Sequence, residues 1–121
     1  MTPTASSPLD VLDLDIRRTG ETTAEIAFTL VPELIYFDGH FPGQPILPGV
    51  SQAHLAVLLA ERVWGGWPSS ATISRLKFRR VLAPGDVVVL ELRHYPSTGG
   101  LSFVFKLNGS PASQGDVGDL A

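Results

Sequence analysis

The sequence predicts an α+β fold in which an antiparallel sheet wraps around one long central helix. Three observations carry that expectation. Segments in which apolar and polar residues alternate flank a single helical segment. That segment, Val50 to Ala60, is apolar on nearly every side. No internal repeat divides the 121 residues, so one domain is expected, over residues 10–121, behind a flexible N-terminus at residues 1–9.

Each element follows from its pattern. From Val11 to Arg17, Leu12, Leu14 and Ile16 oppose Val11, Asp13 and Asp15, which reads as a half-buried strand. Thr19-Gly20-Glu21-Thr22 is a turn. Thr23 to Val31 alternates again, with Ala24, Ile26, Phe28 and Leu30 on one face, and the two segments form a predicted hairpin. Pro32 to Phe37 reads as a short helical turn leading into a loop. The helix follows and stops at Gly65-Gly66. An amphipathic surface helix would show a broad polar stripe; between Val50 and Ala60 only Ser51, Gln52 and His54 are polar. The helix is therefore expected to be buried on most sides, within the sheet or against a second subunit. Strands are then predicted over Ala71–Arg80, Val87–Tyr95 and Leu101–Leu107, separated by turns at Ala83-Pro84-Gly85-Asp86 and Pro96 to Gly100. Ala112 to Val117 gives a weak signal for one short strand more.

Composition narrows the function. Charged residues make up 17% and the net charge is −3, which argues against a nucleic-acid binder needing a basic face. The low charged fraction also points to surface covered by another copy. There are no cysteines, so disulfides, thiolate metal sites and a cysteine nucleophile are excluded. Neither a signal peptide nor an apolar run of about 20 residues is visible, so no membrane partner and a cytoplasmic location are expected. Three scattered histidines without a carboxylate at ligand spacing make a poor metal site, and no metal or other cofactor is expected.

The most constrained stretch is Gly39-His40-Phe41-Pro42-Gly43-Gln44-Pro45-Ile46-Leu47-Pro48-Gly49-Val50, with three prolines and three glycines in twelve residues. Each proline fixes its own φ and moves the preceding residue out of the helical region. Such a loop holds His40 in one place and delivers it near a helix start, where backbone N–H groups lack intrahelical partners. A base beside unpaired amides is a catalytic arrangement.

His40-Phe41-Pro42-Gly43-x-Pro45-x-x-Pro48-Gly49-Val50 resembles the signature of the hotdog-fold 3-hydroxyacyl-(acyl-carrier-protein) dehydratases of fatty-acid synthesis. Lys77-Phe78-Arg79-Arg80 and Pro84-Gly85-Asp86 resemble the same family's strands after the helix. The likeness covers roughly residues 10 to 117. It implies a hotdog fold, a catalytic histidine at His40, and a backbone N–H at Gly49 directed to the thioester carbonyl. It also implies dimers with two sites at the interface. One departure stands out. The family's Glu or Asp on the central helix is His54 here, and its Gln one turn on is Leu58. Gly49-Val50-Ser51-Gln52-Ala53-His54 is more similar to a divergent branch, the dehydratase-like proteins of aryl-polyene and related lipid or polyketide clusters.

The chemistry implied is loss of water from a 3-hydroxyacyl thioester, giving the trans-2-enoyl thioester. A C2 proton is far less acidic than imidazolium, so a base alone does not suffice and the thioester oxygen needs donors as it gains enolate charge. His40 as base, Gly49 N–H as oxyanion donor and His54 in place of the carboxylate form the expected catalytic set. Phe41, Pro48, Val50 and Gln52 are expected to bind substrate. Arg75, Lys77, Arg79 and Arg80 are read either as a solvated strand face or as a docking surface for an acidic acyl carrier protein. His54 and Gln52 also admit purely structural readings. Asp38 reads as a turn former and His94 as a surface residue without companions. The handle of the substrate, carrier protein or coenzyme A, stays open. Two other functions compete: a non-catalytic dehydratase-like subunit of a hetero-oligomer, and a hotdog thioesterase. The latter is disfavoured because the helix has no carboxylate before Glu61.

Overall fold

The computed structural model describes residues 7–37, 45–65 and 72–118. Among these residues six strands form one fully antiparallel sheet, which carries one α-helix: β1 (Asp15–Arg18), β2 (Thr23–Thr29), α1 (Gly49–Trp64), β3 (Ile73–Phe78), β4 (Val87–Tyr95), β5 (Gly100–Leu107) and β6 (Ser110–Val117). The strand order is β1-β2-β4-β5-β6-β3, so β3 is brought by α1 to the far edge of the sheet from β1.

Alternation dictates which face is buried. Ala24, Ile26 and Phe28 of β2 pair across with Leu92, Leu90 and Val88 of β4, and all six are buried. Leu101, Phe103 and Phe105 extend that apolar face onto β5, with the two phenylalanine rings edge to face at 5.9 Å between centroids. Burying each such side chain contributes about 1.5–3 kcal/mol. α1 packs on this face through Ala53, Leu55, Ala56, Leu59, Ala60 and Val63.

One chain's own sheet encloses the helix on one side. Its buried residues fall at i, i+3, i+4 and i+7, one face only, while Val50 is 69% exposed, His54 is exposed, and Val57 and Leu58 are half-buried. The sheet of one chain covers one side of α1 and leaves an apolar stripe on the other.

Turn chemistry matches the sequence at most positions. Pro84 and Gly85 occupy the centre of a turn in which Gly85 has φ +94° and Asp86 N–H donates to Ala83 O at 3.1 Å; the Asp86 carboxylate also accepts from Ala83 N–H at 2.9 Å. The C-terminal end of α1 is pinned to the first hairpin. Arg18 donates to the carbonyl of Val63, and Trp64 Nε1–H donates to Glu21 O at 3.2 Å.

Four local expectations are corrected. Residues Pro8–Val11 form a 3₁₀ turn, closed by a reciprocal Ser7–Asp10 capping box, so the first strand starts at Asp15 and not at Val11. The turn is held because Leu9 is buried in the core. β3 does not alternate simply: its register slips between Ser74 and Lys77, and Arg75 takes φ +54° at the bulge. Ile73 and Leu76, three apart, therefore both pack against the core. β6 is a full strand of eight residues, because Asn108 (φ +53°) and Gly109 (φ +80°) make a two-residue hairpin that continues β5. His94 has a companion, the Trp64 ring at 5.3 Å between centroids.

Candidate active site at the start of the central helix

Pro48 and Gly49 form the start of α1 as the sequence predicts. Pro48 is the N-cap, with φ −63° and ψ 153°, and offers no side-chain acceptor to the amides behind it. The first i→i−4 bond is Gln52 N–H to Pro48 O at 3.0 Å. The N–H groups of Gly49, Val50 and Ser51 thus precede the helical ladder, at its positive end.

Two long-range contacts hold this end of the helix. Leu47 N–H donates to Leu82 O at 2.7 Å, which ties the loop exit to the chain leaving β3. Gln52 is 2% exposed, and its amide is held at both ends: Nε2–H donates to Leu47 O at 2.9 Å, and Oε1 accepts from the hydroxyl of Ser113 on β6. A buried amide with both ends paired fixes geometry, since breaking either bond strands a polar group. Among the described residues no buried side-chain polar atom lacks a partner.

A groove of about 350 Å³ opens at this point. Ile46, Leu47, Pro48, Gly49 and Gln52 line one side and Phe78, Arg79, Arg80 and Val81 the other. Its walls are mostly apolar, with two guanidinium-bearing residues on the β3 side. Phe78 is 54% exposed and Val81 is 62% exposed. The backbone N–H groups of Arg79 and Arg80 both donate to Ala112 O, at 2.8 and 3.1 Å, so the chain bends sharply off the sheet here.

His54 lies one turn along α1 from Val50, on the uncovered stripe. Its Nδ1 is 2.5 Å from the phenolic oxygen of Tyr36, and the two rings meet edge to face at 5.6 Å. Tyr36 belongs to a 3₁₀ turn, Ile35–Phe37, fixed by the buried side chains of Leu34 and Phe37. Burial pushes the Tyr36 phenol up to about 12.

The expected site residues thus separate. Pro48, Gly49, Gln52, Arg79 and Arg80 share the groove. Val50 and His54 stand beside it on the helix. Arg75 and Lys77 lie along a different hollow with Tyr95 and Asp116, where Arg75 Nε is 3.7 Å from the Asp116 carboxylate. His40 and Phe41 lie outside the described residues, as does Asp38. Tyr36 and Phe78 were missed as site neighbours; nothing local in the sequence marks them, because their partners are 18 and 29 positions away along the chain. Among the described residues no cluster of His, Asp or Glu is placed to hold a metal ion, and no helix is long and apolar enough to cross a membrane.

Known proteins share this architecture. The ApeI-like family model, described as ApeI dehydratase, matches residues 16–116. Among curated proteins, a 3-hydroxyacyl-[acyl-carrier-protein] dehydratase FabZ from Caldicellulosiruptor bescii is 40% identical over 63 residues, covering 46% of this chain and 45% of the relative. The FabZ of Clostridium acetobutylicum is 31% identical over 91 residues, 67% of this chain and 64% of that protein. The chain thus spans from under half to just under two thirds of these two curated relatives' length. Among solved structures, the dehydratase heterocomplex ApeI:P from Xenorhabdus doucetiae superposes with a TM-score of 0.76 at 33% identity, covering 86% of this chain and 92% of that one. An uncharacterized protein from Erwinia carotovora superposes at 0.73 with 30% identity, covering 89% and 94%. A Pseudomonas aeruginosa thioesterase at 16% identity and a TM-score of 0.60, covering 92% of this chain and 82% of that one, shares the hotdog fold alone.

Proposed function

The chain belongs to the ApeI-like dehydratase family, and from that premise we propose that it removes water from a 3-hydroxyacyl thioester carried by an acyl carrier protein. The observation that carries this reading is the groove at the start of α1, apolar along its walls, with the Gly49 amide ahead of the helical ladder. In this reading the acyl chain lies along Leu47, Phe78 and Val81, and the thioester oxygen meets Gly49 N–H.

Deprotonation at C2 by His40 places negative charge on that oxygen. Donors aimed in advance at a developing oxyanion are worth about 2.7–4 kcal/mol each. As the C2=C3 bond forms, the C3–O bond breaks, and the departing hydroxide takes the proton that His40 received from C2 and leaves as water. His54 is assigned to the leaving hydroxyl, in the place of the carboxylate that the resemblance leads one to expect. Arg79 and Arg80 beside the groove suit the phosphate of a pantetheine arm or the acidic face of its carrier. Pro48 lines the groove and Val50 follows it on the helix; Phe41 is assigned to substrate binding from the motif alone. Gln52 supports the site from beneath, through its bonds to Leu47 and Ser113.

A second subunit belongs to this reading. Val50 is exposed and Val57 and Leu58 are only half-buried against their own core, Phe78 and Val81 are also exposed, and β3 is an edge strand. A dimer joined along this side buries the stripe and encloses His54. The similarity to a chain of a dehydratase heterocomplex keeps one variant of the proposal in play: the subunit completing the site is a different hotdog chain.

Purified protein incubated with a 3-hydroxyacyl carrier substrate tests the reading. Mass spectrometry of the acyl group is expected to show loss of one water. Release of free thiol supports a thioesterase in its place. No reaction, with and without a co-expressed hotdog partner, overturns the enzymatic assignment.

A further inference from the structure

We propose that Tyr36 is a positioning residue for the dehydration assigned above: its phenol donates to His54 Nδ1 and holds the imidazole as the Nε2–H tautomer, aimed outward as a hydrogen-bond donor. The inference rests on the dehydratase reading for its catalytic meaning and on geometry for its substance.

The oxygen-to-Nδ1 distance is 2.5 Å, within hydrogen-bonding range, and the rings stand edge to face. One proton must lie between the two atoms. If the phenol supplies it, the neutral imidazole carries its own proton on Nε2. If Nδ1 supplies it, Nε2 is bare and His54 is a base. The phenol supplies it: a phenol O–H is a stronger donor, and a bare imidazole nitrogen a stronger acceptor, than the reverse pair, and a separation of 2.5 Å lies in the range of O–H donors and below that of N–H donors. The tyrosine is itself held in place. Leu34 and Phe37 on either side of it are buried, and Phe37 N–H donates to Leu34 O at 3.0 Å. His54 sits on a helix face that the sheet does not cover, so its far nitrogen is accessible.

The consequence is chemical. A departing hydroxyl needs a donor and has no use for a second base. An imidazole free to exchange tautomers and rotate would present the wrong nitrogen part of the time. The Tyr36 bond removes both freedoms, so His54 holds the departing oxygen with a fixed Nε2–H donor, while the proton that makes it water is the one His40 took from C2.

The test is nitrogen NMR of protein labelled with ¹⁵N-histidine, the His54 signals being assigned with a His54→Gln variant. The wild-type spectrum is expected to show Nε2 protonated and Nδ1 bare but shifted by an accepted hydrogen bond. Tyr36→Phe, which keeps the ring, is expected to remove that shift and to lower kcat for dehydration by about tenfold to a hundredfold with KM little changed. A proton on Nδ1 in the wild type overturns the proposal, and this holds even if the variant fails to fold. An Nδ1 signal unmoved by Tyr36→Phe overturns it also, as does an unchanged kcat where the signal does move. The spectra need no substrate, so an inactive protein defeats the dehydratase reading without deciding the tautomer.

Discussion

The ring of Phe78 lies against the α-carbon of Gly49, joining the edge strand β3 to the first residue of the central helix. A β-carbon placed on residue 49 would come within 2.9 Å of Phe78 Cε1 and closer still to Cζ. Glycine at this position therefore serves the packing of the chain itself, besides any approach of substrate to its amide. The glycine N–H and the aromatic ring define the same end of the groove.

Gly49→Ala is expected to change stability by no more than about 1 kcal/mol. The methyl gains up to about 0.5–1 kcal/mol of helix propensity, offset by displacement of the half-exposed Phe78 ring. In a Phe78→Ala background the same substitution should appear as a net gain. Dehydration should fall in Gly49→Ala regardless, because methyl and displaced ring both enter the groove. Urea unfolding of the two single variants and the double, alongside a rate assay, checks both halves.

Gln52→Leu removes two buried hydrogen bonds and leaves Leu47 O and the Ser113 hydroxyl without partners. Each stranded group costs about 1–3 kcal/mol, so a loss of about 2–6 kcal/mol is expected. Ser113→Ala should cost less, and the double variant less than the sum, since one bond is shared. Denaturant midpoints at constant slope are the measure; a neutral Gln52→Leu would show the amide to be dispensable to the fold.

Alkaline stability follows from Tyr36. Its folded value of about 12 exceeds the ordinary 10.0, so the unfolded chain loses this proton first as pH rises. Below pH 10 the two states bind it equally. Between about 10 and 12 the unfolded state binds fewer protons, and stability falls with rising pH. Tyr36→Phe is expected to have a shallower decline over that window. Melting temperatures at pH 9, 10 and 11 for both proteins test this through their difference, in which the lysine titrations cancel.

Arg79→Ala with Arg80→Ala should raise KM for a carrier-bound substrate severalfold, with little change for a short pantetheine thioester if the carrier's acidic face is what they meet. The effect should shrink as salt is raised, since exposed charges are screened within about 8–10 Å. Arg75→Ala and Lys77→Ala, which lie along a separate hollow, are expected to have smaller effects.

His40→Ala and His54→Ala are expected to differ in kind. Loss of the base should reduce kcat by about 10²–10⁴-fold, the span usual for acid–base groups. Loss of His54 should leave proton exchange at C2 measurable in deuterated solvent while slowing water loss. Equal suppression of exchange and elimination in both variants would argue against separate roles.

The sequence by itself determined the parts that short-range chemistry governs. Proline at 48 and glycine at 49 start the helix, Gly65 at φ +74° ends it, and Pro84-Gly85 turn the chain. Alternation placed β2 and named Ala24, Ile26, Phe28 and Leu30 as its buried face, and the β-rich runs between turns placed β4 and β5. The motif from residue 40 to 50 gave the family. What tertiary structure decided involves partners far apart in the chain. The amphipathic character of α1 was hidden because Val50, Val57 and Leu58 are apolar yet are exposed or only half-buried in one chain; composition carries no record of which side a sheet covers. The bulge at Arg75 is set by the register between β3 and β6, and no local propensity puts an arginine at positive φ. The second strand of the Asn108-Gly109 hairpin is rich in small and polar residues and lacks the apolar pattern that announces a strand, so only a short strand at Ala112 to Val117 was expected there. The contacts of Gln52 with Ser113, Phe78 with Gly49 and Tyr36 with His54 arise only once the helix lies on the sheet. Periodicity reports which face a residue occupies, and only packing decides which distant side chain it meets there.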